Sequence, residues 1–327
     1  NAHPSQVIFT SSGTESNNTI INGIAKAYPE SHFGFSSIEH PCISEPIKSL
    51  AHQGFKVSEI PVDSNGIFNV SDVSDEMKQS LTFLSVMMAN NETGVLFPMQ
   101  EIAAIAQKKK CLLHIDAVQA FGKMPLSLEG AGIHFMSFSG HKIYAPKGVG
   151  GLYVNRRVKF TPLLRGSQEN ARRGGTQNVA SIVGFGKAAE IALHHLGTDS
   201  IKSLRDTLES QIESAIPGAT VNGDRENRLP NTTNISFEGV ESEGALILLD
   251  EKGVSCSAGS ACSSGSVHPS HVLKAMGLSN DQARASLRFS IGRFTTAEDI
   301  QKAGQIIPAA IAKLRELSPM GSPVLAA

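Results

Sequence analysis

The sequence predicts an α/β fold: a mostly parallel central sheet covered by helices, followed by a smaller α+β domain. Three observations predict it. Short apolar strands alternate with helix-period stretches through the first part of the chain. Residues able to do chemistry fall just past several of those strands, where open α/β sheets bind their ligands. From about Asn178 the texture changes to longer helices with later strands. The expected domains are residues 1–195 and 196–327.

Taken in order, Val7–Thr10 reads as a strand, and Ile20, Ile21, Ile24 and Tyr28 then recur at helical spacing. His32–Ser37 is a second strand. A helix follows from about Pro41, because proline is tolerated in a first helical turn. Phe55–Ile60, Phe83–Met88, Cys111–Ile115 and Phe135–Phe138 are further strands, with Ile102–Lys109 among the intervening helices. Such alternation argues for parallel strands with helices on both faces. Later helices are expected over Asn178–Leu196, Ser200–Ala215 and Glu241–Glu251, and from Thr296. Later strands are expected at Thr233–Phe237 and Ser286–Ile291, with a Ser/Gly/Ala-rich loop at Ser255–Ser266 between them.

Composition narrows the function classes. The 327 residues are 40% apolar and 18% charged, which is ordinary soluble composition and enough chain for two cores. Lys and Arg number 29 against 30 Asp and Glu, for a net charge of -1. That balance argues against a nucleic-acid partner. The one basic run, Lys108-Lys109-Lys110, ends a helical stretch and suits its dipole. No apolar run is long enough to span a bilayer, and no signal peptide is visible, so no membrane partner is expected. Cys42, Cys111, Cys256 and Cys262 form neither a CxxC pair nor a disulfide framework. A reducing, cytoplasmic location follows, with no metal site. The chain begins at Asn1 rather than Met, which leaves room for a missing upstream segment and its targeting peptide.

Three stretches at predicted strand ends carry chemistry. Thr10-Ser11-Ser12-Gly13-Thr14-Glu15-Ser16-Asn17 joins a strand to a helix, and small residues there leave backbone N–H groups for an anion. A plain N-cap by Ser12 or Thr14 explains the stretch at least as well. Asp116, in His114-Ile115-Asp116-Ala117-Val118-Gln119, suits a pyridinium nitrogen, with Gln119 reaching the same ring's phenolic oxygen. A turn-forming Asp is the plainer alternative. Lys142 ends Ser137-Phe138-Ser139-Gly140-His141-Lys142, after another strand. Burial and nearby cations make an amine nucleophilic, although a lysine considered alone is more often an exposed loop residue. A phosphate loop, an acid and a lysine on one rim of a sheet are the set that a pyridoxal phosphate site needs.

Five stretches then carry a resemblance: Ser12-Gly13-Thr14-Glu15-Ser16-Asn17, Asn90-Asn91-Glu92-Thr93-Gly94, Asp116-Ala117-Val118-Gln119, Ser139-Gly140-His141-Lys142 and Gly259-Ser260-Ala261-Cys262. Arg172-Arg173-Gly174-Gly175-Thr176 and Leu287-Arg288-Phe289-Ser290 add to them. On these, the chain resembles the cysteine desulfurases of the NifS/IscS-like group, which share the class V aminotransferase fold, a fold-type I arrangement. The longer loop around the last cysteine resembles this group more than the SufS-like one.

The resemblance implies pyridoxal 5'-phosphate as cofactor, and conversion of L-cysteine to L-alanine with a persulfide left on Cys262. Lys142 would bind the cofactor covalently and take the substrate's Cα proton. Asp116 would pair with the pyridine nitrogen. Asn91 and Gln119 would bond the phenolic oxygen, and Asn91 would also reach the substrate. Thr14, Ser139 and His141, with the backbone of Gly13, would hold the phosphate. Thr176 would reach the phosphate of a neighbouring subunit, implying a homodimer with shared sites. His40 would stack on the ring and move protons; by itself, a histidine before proline is more often structural. Arg288 would clamp the substrate carboxylate bidentately, where a surface ion pair is the alternative. Cys262 lies in a stretch without bulky apolar residues, and is expected to be exposed and mobile. It would pass sulfur to an acceptor such as an iron–sulfur scaffold or a thiolation partner. Cys111 reads as core, Cys42 is given no role, and Cys256 stays ambiguous.

The chain departs from the resemblance at its ends. Relatives carry an N-terminal Asn-Ala-Ala-Thr-Thr-like stretch near the substrate and a longer tail that docks the scaffold. Rival readings therefore stand beside the main one: a selenocysteine lyase or another class V activity, and a truncated, inactive form that binds cofactor without turnover.

Overall fold

The computed structural model describes residues 1–73, 80–196, 200–259 and 269–317. Its contacts divide the chain into two compact units. The first comprises Asn1–Val62, Phe68–Asn90 and Leu96–Gly197; the second comprises Asp63–Ile67, Asn91–Val95 and Thr198–Ala327.

The first unit is built on β1 (Val7–Thr10), α1 (Gly13–Ala27), β2 (His32–Ser36), α2 (Pro41–Ala51), β3 (Lys56–Ile60), β4 (Phe83–Met87), α3 (Met99–Lys109), β5 (Leu112–Asp116), β6 (Phe135–Ser139), β7 (Gly150–Val154) and α4 (Val179–His194). The strands form one sheet in the order β1-β7-β6-β5-β4-β2-β3. Strands β3, β2, β4, β5 and β6 pair in parallel, while β7 runs antiparallel to both β6 and β1. All strands but β7 therefore end at the same edge.

The sheet forms because its strands are apolar on both faces: every residue of β2, β4, β6 and β7 is buried. Phe33, Phe35, Phe83 and Phe135 pack with Ile20, Ile21 and Ile24 of α1 and with Ile43, Ile47 and Leu50 of α2. Each such side chain contributes about 1.5–3 kcal/mol by leaving water. Helix α3 stops where Lys110 turns left-handed (φ 56°) and returns its N–H to Ala106.

The second unit holds α5 (Ser200–Ala215), β8 (Ala219–Val221), β9 (Thr232–Phe237), α6 (Ser242–Glu251), β10 (Ser257–Ala258), α7 (His271–Ala275), α8 (Asn280–Arg284), β11 (Ser286–Ser290) and α9 (Ala297–Leu317). Its sheet is antiparallel throughout, in the order β10-β11-β9-β8. Leu208 and Ile212 of α5, Leu249 of α6, and Ile307 and Ile311 of α9 close one core over Ile235, Phe237, Leu287 and Phe289. An α+β second domain was expected, and this unit is one.

One expectation changes. No strand was expected directly after Lys142, but Gly150–Val154 forms one inside the sheet. Gly150 must be glycine because a Cβ there would sit 2.6 Å from the backbone carbon of Ser12. Asp63–Ile67 and Asn91–Val95 group with the second unit, because Asp224 donates its N–H to the Asn65 carbonyl, Leu229 to that of Gly94, and Val95 bridges Arg228. Among the described residues, no helix is long and apolar enough to cross a membrane.

Candidate active site

The common strand edge of the first unit collects the expected residues. Asp116 ends β5, and the turn after β6 carries His141 and Lys142 in Gly140–Ile143. The turn after β1 carries Ser12, Gly13 and Thr14, and that after β2 carries His40.

Asp116 is 6% exposed and fully engaged. One carboxylate oxygen accepts the Val118 N–H at 2.9 Å, and the other accepts the Asn17 amide at 2.8 Å. Burial pushes its pKa above the ordinary value, while those two donors and the positive field of Lys142 oppose the rise. The turn reading of Asp116 is thus correct as well: its bond to Val118 is the Asx type.

The Ser12 side chain caps α1 by accepting the Glu15 N–H at 3.1 Å. Gly13 starts the helix, and a Cβ there would sit 2.7 Å from Val118 Cγ2. The α1 terminus is thereby pressed against the β5 turn. Ser139 bonds His141 Nδ1 at 2.9 Å. Burial lowers the His141 pKa first, and Lys142, Lys147 and Lys123 add repulsion, so the ring is neutral amid three cations. That is a field for an anion. Lys123 donates to Gln119 Oε1 at 2.8 Å, which turns the Gln119 amide group into the donor for any further partner.

His40 caps α2. Its Nδ1 accepts the Cys42 N–H at 3.1 Å and lies 2.9 Å from the Cys42 sulfur. Beside it, Glu39 is wholly buried; one of its oxygens accepts the Met87 N–H at 2.8 Å and the Ser36 hydroxyl at 2.5 Å. Burial pushes the Glu39 carboxyl up to about 8, and the Asp116 charge pushes the same way. At neutral pH Glu39 is therefore an uncharged structural acid.

A pH dependence follows. Between the unfolded value of 4.5 and the folded value of about 8, the native state keeps a Glu39 proton that the unfolded chain releases. Native stability is therefore lost as pH rises through that window, at up to about 1.4 kcal/mol per pH unit. Glu39→Gln keeps the shape and removes the titration. Urea unfolding between pH 5 and 8 should show wild type falling against the variant; parallel pH profiles would refute the assignment.

The second unit holds Asn91, Glu92, Cys256 and Arg288. Arg288, half-buried on β11, donates through Nη1 to the Asn91 carbonyl at 2.8 Å, so these two are brought together. Glu92 follows, buried, accepting the Ser270 hydroxyl at 2.5 Å. Burial raises its pKa, against the pull of Ser270, His271 and Arg288. Cys256 is half-buried against this unit's core, and burial pushes its thiol to about 12, which makes it a poor nucleophile. Cys111 is core, as expected. Cys262 lies outside the described residues. Thr176 is exposed just ahead of α4.

Sequence reasoning missed Asn17, Glu39, Cys42, Glu92 and Lys123. One had a signal: Asn17 lies one turn past Thr14 on α1, so it shares a face with a residue already singled out.

Comparison with known proteins agrees with this geometry. Residues 1–303 match the family described as Aminotransferase class-V. The chain belongs to that family. It is 45% identical over 324 residues to the cysteine desulfurase NifS of Azotobacter vinelandii, covering 98% of this chain and 81% of that protein. A solved NifS-like protein matches with a TM-score of 0.89 at 34% identity, over 96% of this chain and 84% of that one. A solved SspA, described in complex with cysteine, matches with a TM-score of 0.79 at 32% identity, over 90% and 84%.

The family's cofactor is pyridoxal phosphate, and the residues present fit it. The cradle at Gly13 would be filled by a Cβ, a buried carboxylate ends β5, and cations surround His141. Asp116 would hold the ring nitrogen, the Gln119 amide the phenolic oxygen, and Thr14, Ser139 and His141 the phosphate.

Proposed function

We propose that this chain is a cysteine desulfurase that converts L-cysteine to L-alanine and leaves the sulfur on Cys262. The observation that carries the reading is Asp116, a buried carboxylate with its own donors, on the same sheet edge as Lys142. When bound, the cofactor supplies an electron sink for charge developing at the substrate's Cα. Lys142 anchors the cofactor, then moves the Cα proton. Asp116 keeps a proton on the ring nitrogen. His40, whose Nδ1 accepts the Cys42 N–H, moves protons on the substrate side through Nε2. Arg288 clamps the α-carboxylate, and Asn91 accompanies it. The Cys262 thiolate attacks the substrate's Sγ; the sulfur–sulfur bond forms, the Cβ–Sγ bond breaks, and alanine leaves with the hydrogen count of cysteine plus thiol preserved.

The finer parts belong to the same proposal. We take the chain to be a homodimer, with Thr176 reaching the partner's phosphate. Val179, Val183 and Leu193, each about two-thirds exposed, lie within one stripe of α4, and a stripe of that kind suits a second copy. The unpaired thiols among the described residues support the cytoplasm. The sulfur acceptor is taken to be an iron–sulfur scaffold or a thiolation protein.

Incubation with L-cysteine and a reductant tests the reading: alanine and sulfide should appear in equal amounts. Turnover of selenocysteine alone would favour the lyase, and cofactor binding with neither product would favour an inactive form. Cys262→Ser should bind cofactor normally yet release sulfide about 10²-fold more slowly, because a hydroxyl cannot accept sulfur. Full-rate release would remove Cys262 from the mechanism.

A further inference from the structure

The Cys42 sulfur touches two site residues at once. It lies 2.9 Å from His40 Nδ1 and 3.1 Å from the Asn17 amide nitrogen. The same amide donates to Asp116 at 2.8 Å. Asn17 is wholly buried, and among the described residues its Oδ1 meets no hydrogen-bond partner. The orientation of its amide is thus set by what its two hydrogens reach: the Asp116 carboxylate and the Cys42 sulfur.

The thiol carries its hydrogen. Burial pushes its pKa to about 12, the charges of Asp116 and Glu39 add to the rise, and Asn17 and Thr14 oppose it. A protonated thiol has one hydrogen to give and lone pairs to accept with. The Asn17 hydrogen takes the accepting role. His40 Nδ1 already accepts from the Cys42 backbone N–H, so it too faces the thiol as an acceptor.

We infer that Cys42 is a positioning residue: its thiol accepts from Asn17 and shares His40 Nδ1 with the Cys42 backbone N–H, which fixes the His40 ring in place and joins it to the Asn17–Asp116 pair. This rests on the reading of His40 and Asp116 as desulfurase site residues. It deepens that reading, because two groups at different ends of the reaction become one hydrogen-bonded unit: Asp116, Asn17, Cys42, His40. Cys42 itself makes no contact with substrate in this account. Its buried, protonated thiol also makes it a poor nucleophile, so it does not compete with Cys262 for sulfur.

A serine hydroxyl at this position can make the same kinds of hydrogen bond, accepting from Asn17 and donating toward His40. Cys42→Ser should therefore preserve the arrangement, and Cys42→Ala should break it. One net hydrogen bond is worth up to a factor of about 10 in rate. In the holoenzyme, Cys42→Ala should lower kcat with L-cysteine about 10-fold with KM nearly unchanged, and Cys42→Ser should return to within about 2-fold of wild type. A merely space-filling role predicts the reverse ranking, because serine is polar as well as smaller. The second readout is the ¹⁵N spectrum of the His40 ring in labelled holoenzyme. Wild type and Cys42→Ser should show the same His40 Nδ1 resonance, and Cys42→Ala, which keeps the backbone donor but loses the thiol contact, should shift it. Unchanged His40 resonances in Cys42→Ala, or a serine variant no better than alanine, would overturn the inference. If wild type makes no alanine from cysteine, the activity reading fails, and the nitrogen spectrum still decides the role of Cys42.

Discussion

Replacing Lys142 by alanine should lower the rate of alanine formation by about 10⁴-fold, the upper range for a residue that both moves a proton and forms a covalent link. The size of the effect follows from two losses at one position. The lysine anchors the cofactor, and it is the group placed to move the Cα proton. Its location supports both roles: it sits half-buried in the turn after β6, and its charge is felt by Asp116 and by His141. The variant should fold, because Lys142 belongs to the turn and not to the core. Borohydride reduction of the loaded protein followed by peptide mass analysis gives a readout besides rate. The cofactor's mass should be found on the wild-type peptide containing residue 142 and be absent from the variant. A cofactor mass on a different lysine of wild type would overturn the assignment.

Much of this was legible in the sequence, for a physical reason. Parallel strands buried on both faces are short apolar runs, and ligand residues sit where those runs stop. Asp116 and Lys142 could be placed on one edge from that alone, and the strands from β2 to β6 fall within about a residue of their expected bounds. Strand β7 was not legible, because Gly150 and Gly151 look like loop; the glycine at 150 answers to the backbone of Ser12, which is distant in sequence. Asp116 was legible, but its donor Asn17 comes from 99 positions earlier, and pattern does not reveal a partner at that range. The same limit hid Asn65, Gly94 and Val95, which look like first-domain loops and bond to the second unit. Cys42 was passed over because nothing about a cysteine after His-Pro says that its sulfur turns back toward the histidine. The chemistry-bearing residues were visible, and the hydrogen bonds that set their charge and tautomer were not.

Asp116→Asn separates catalysis from stability most sharply. Activity should fall about 10³-fold, within the range for losing a group that controls a proton in the transition state, because an amide cannot hold a positively charged ring nitrogen. Stability should move the other way. Burial raises the Asp116 pKa above its unfolded value of 3.8, so without cofactor the native state keeps a proton there that the unfolded chain releases. Native stability is lost as pH rises through that window, and the asparagine variant does not share the loss. The amide can also be accommodated. Its oxygen still accepts the Val118 N–H, and its NH₂ would face the Asn17 amide. Asn17 can turn over, so that its Oδ1, which meets no partner in the present arrangement among the described residues, accepts that hydrogen. Urea unfolding of the cofactor-free proteins at pH 7 should find the variant equal to or more stable than wild type. A variant that is both active and less stable would mean that Asp116 is a structural turn residue. The expected result, slower and more stable, is the mark of a carboxylate kept in a costly place for the ligand it meets there.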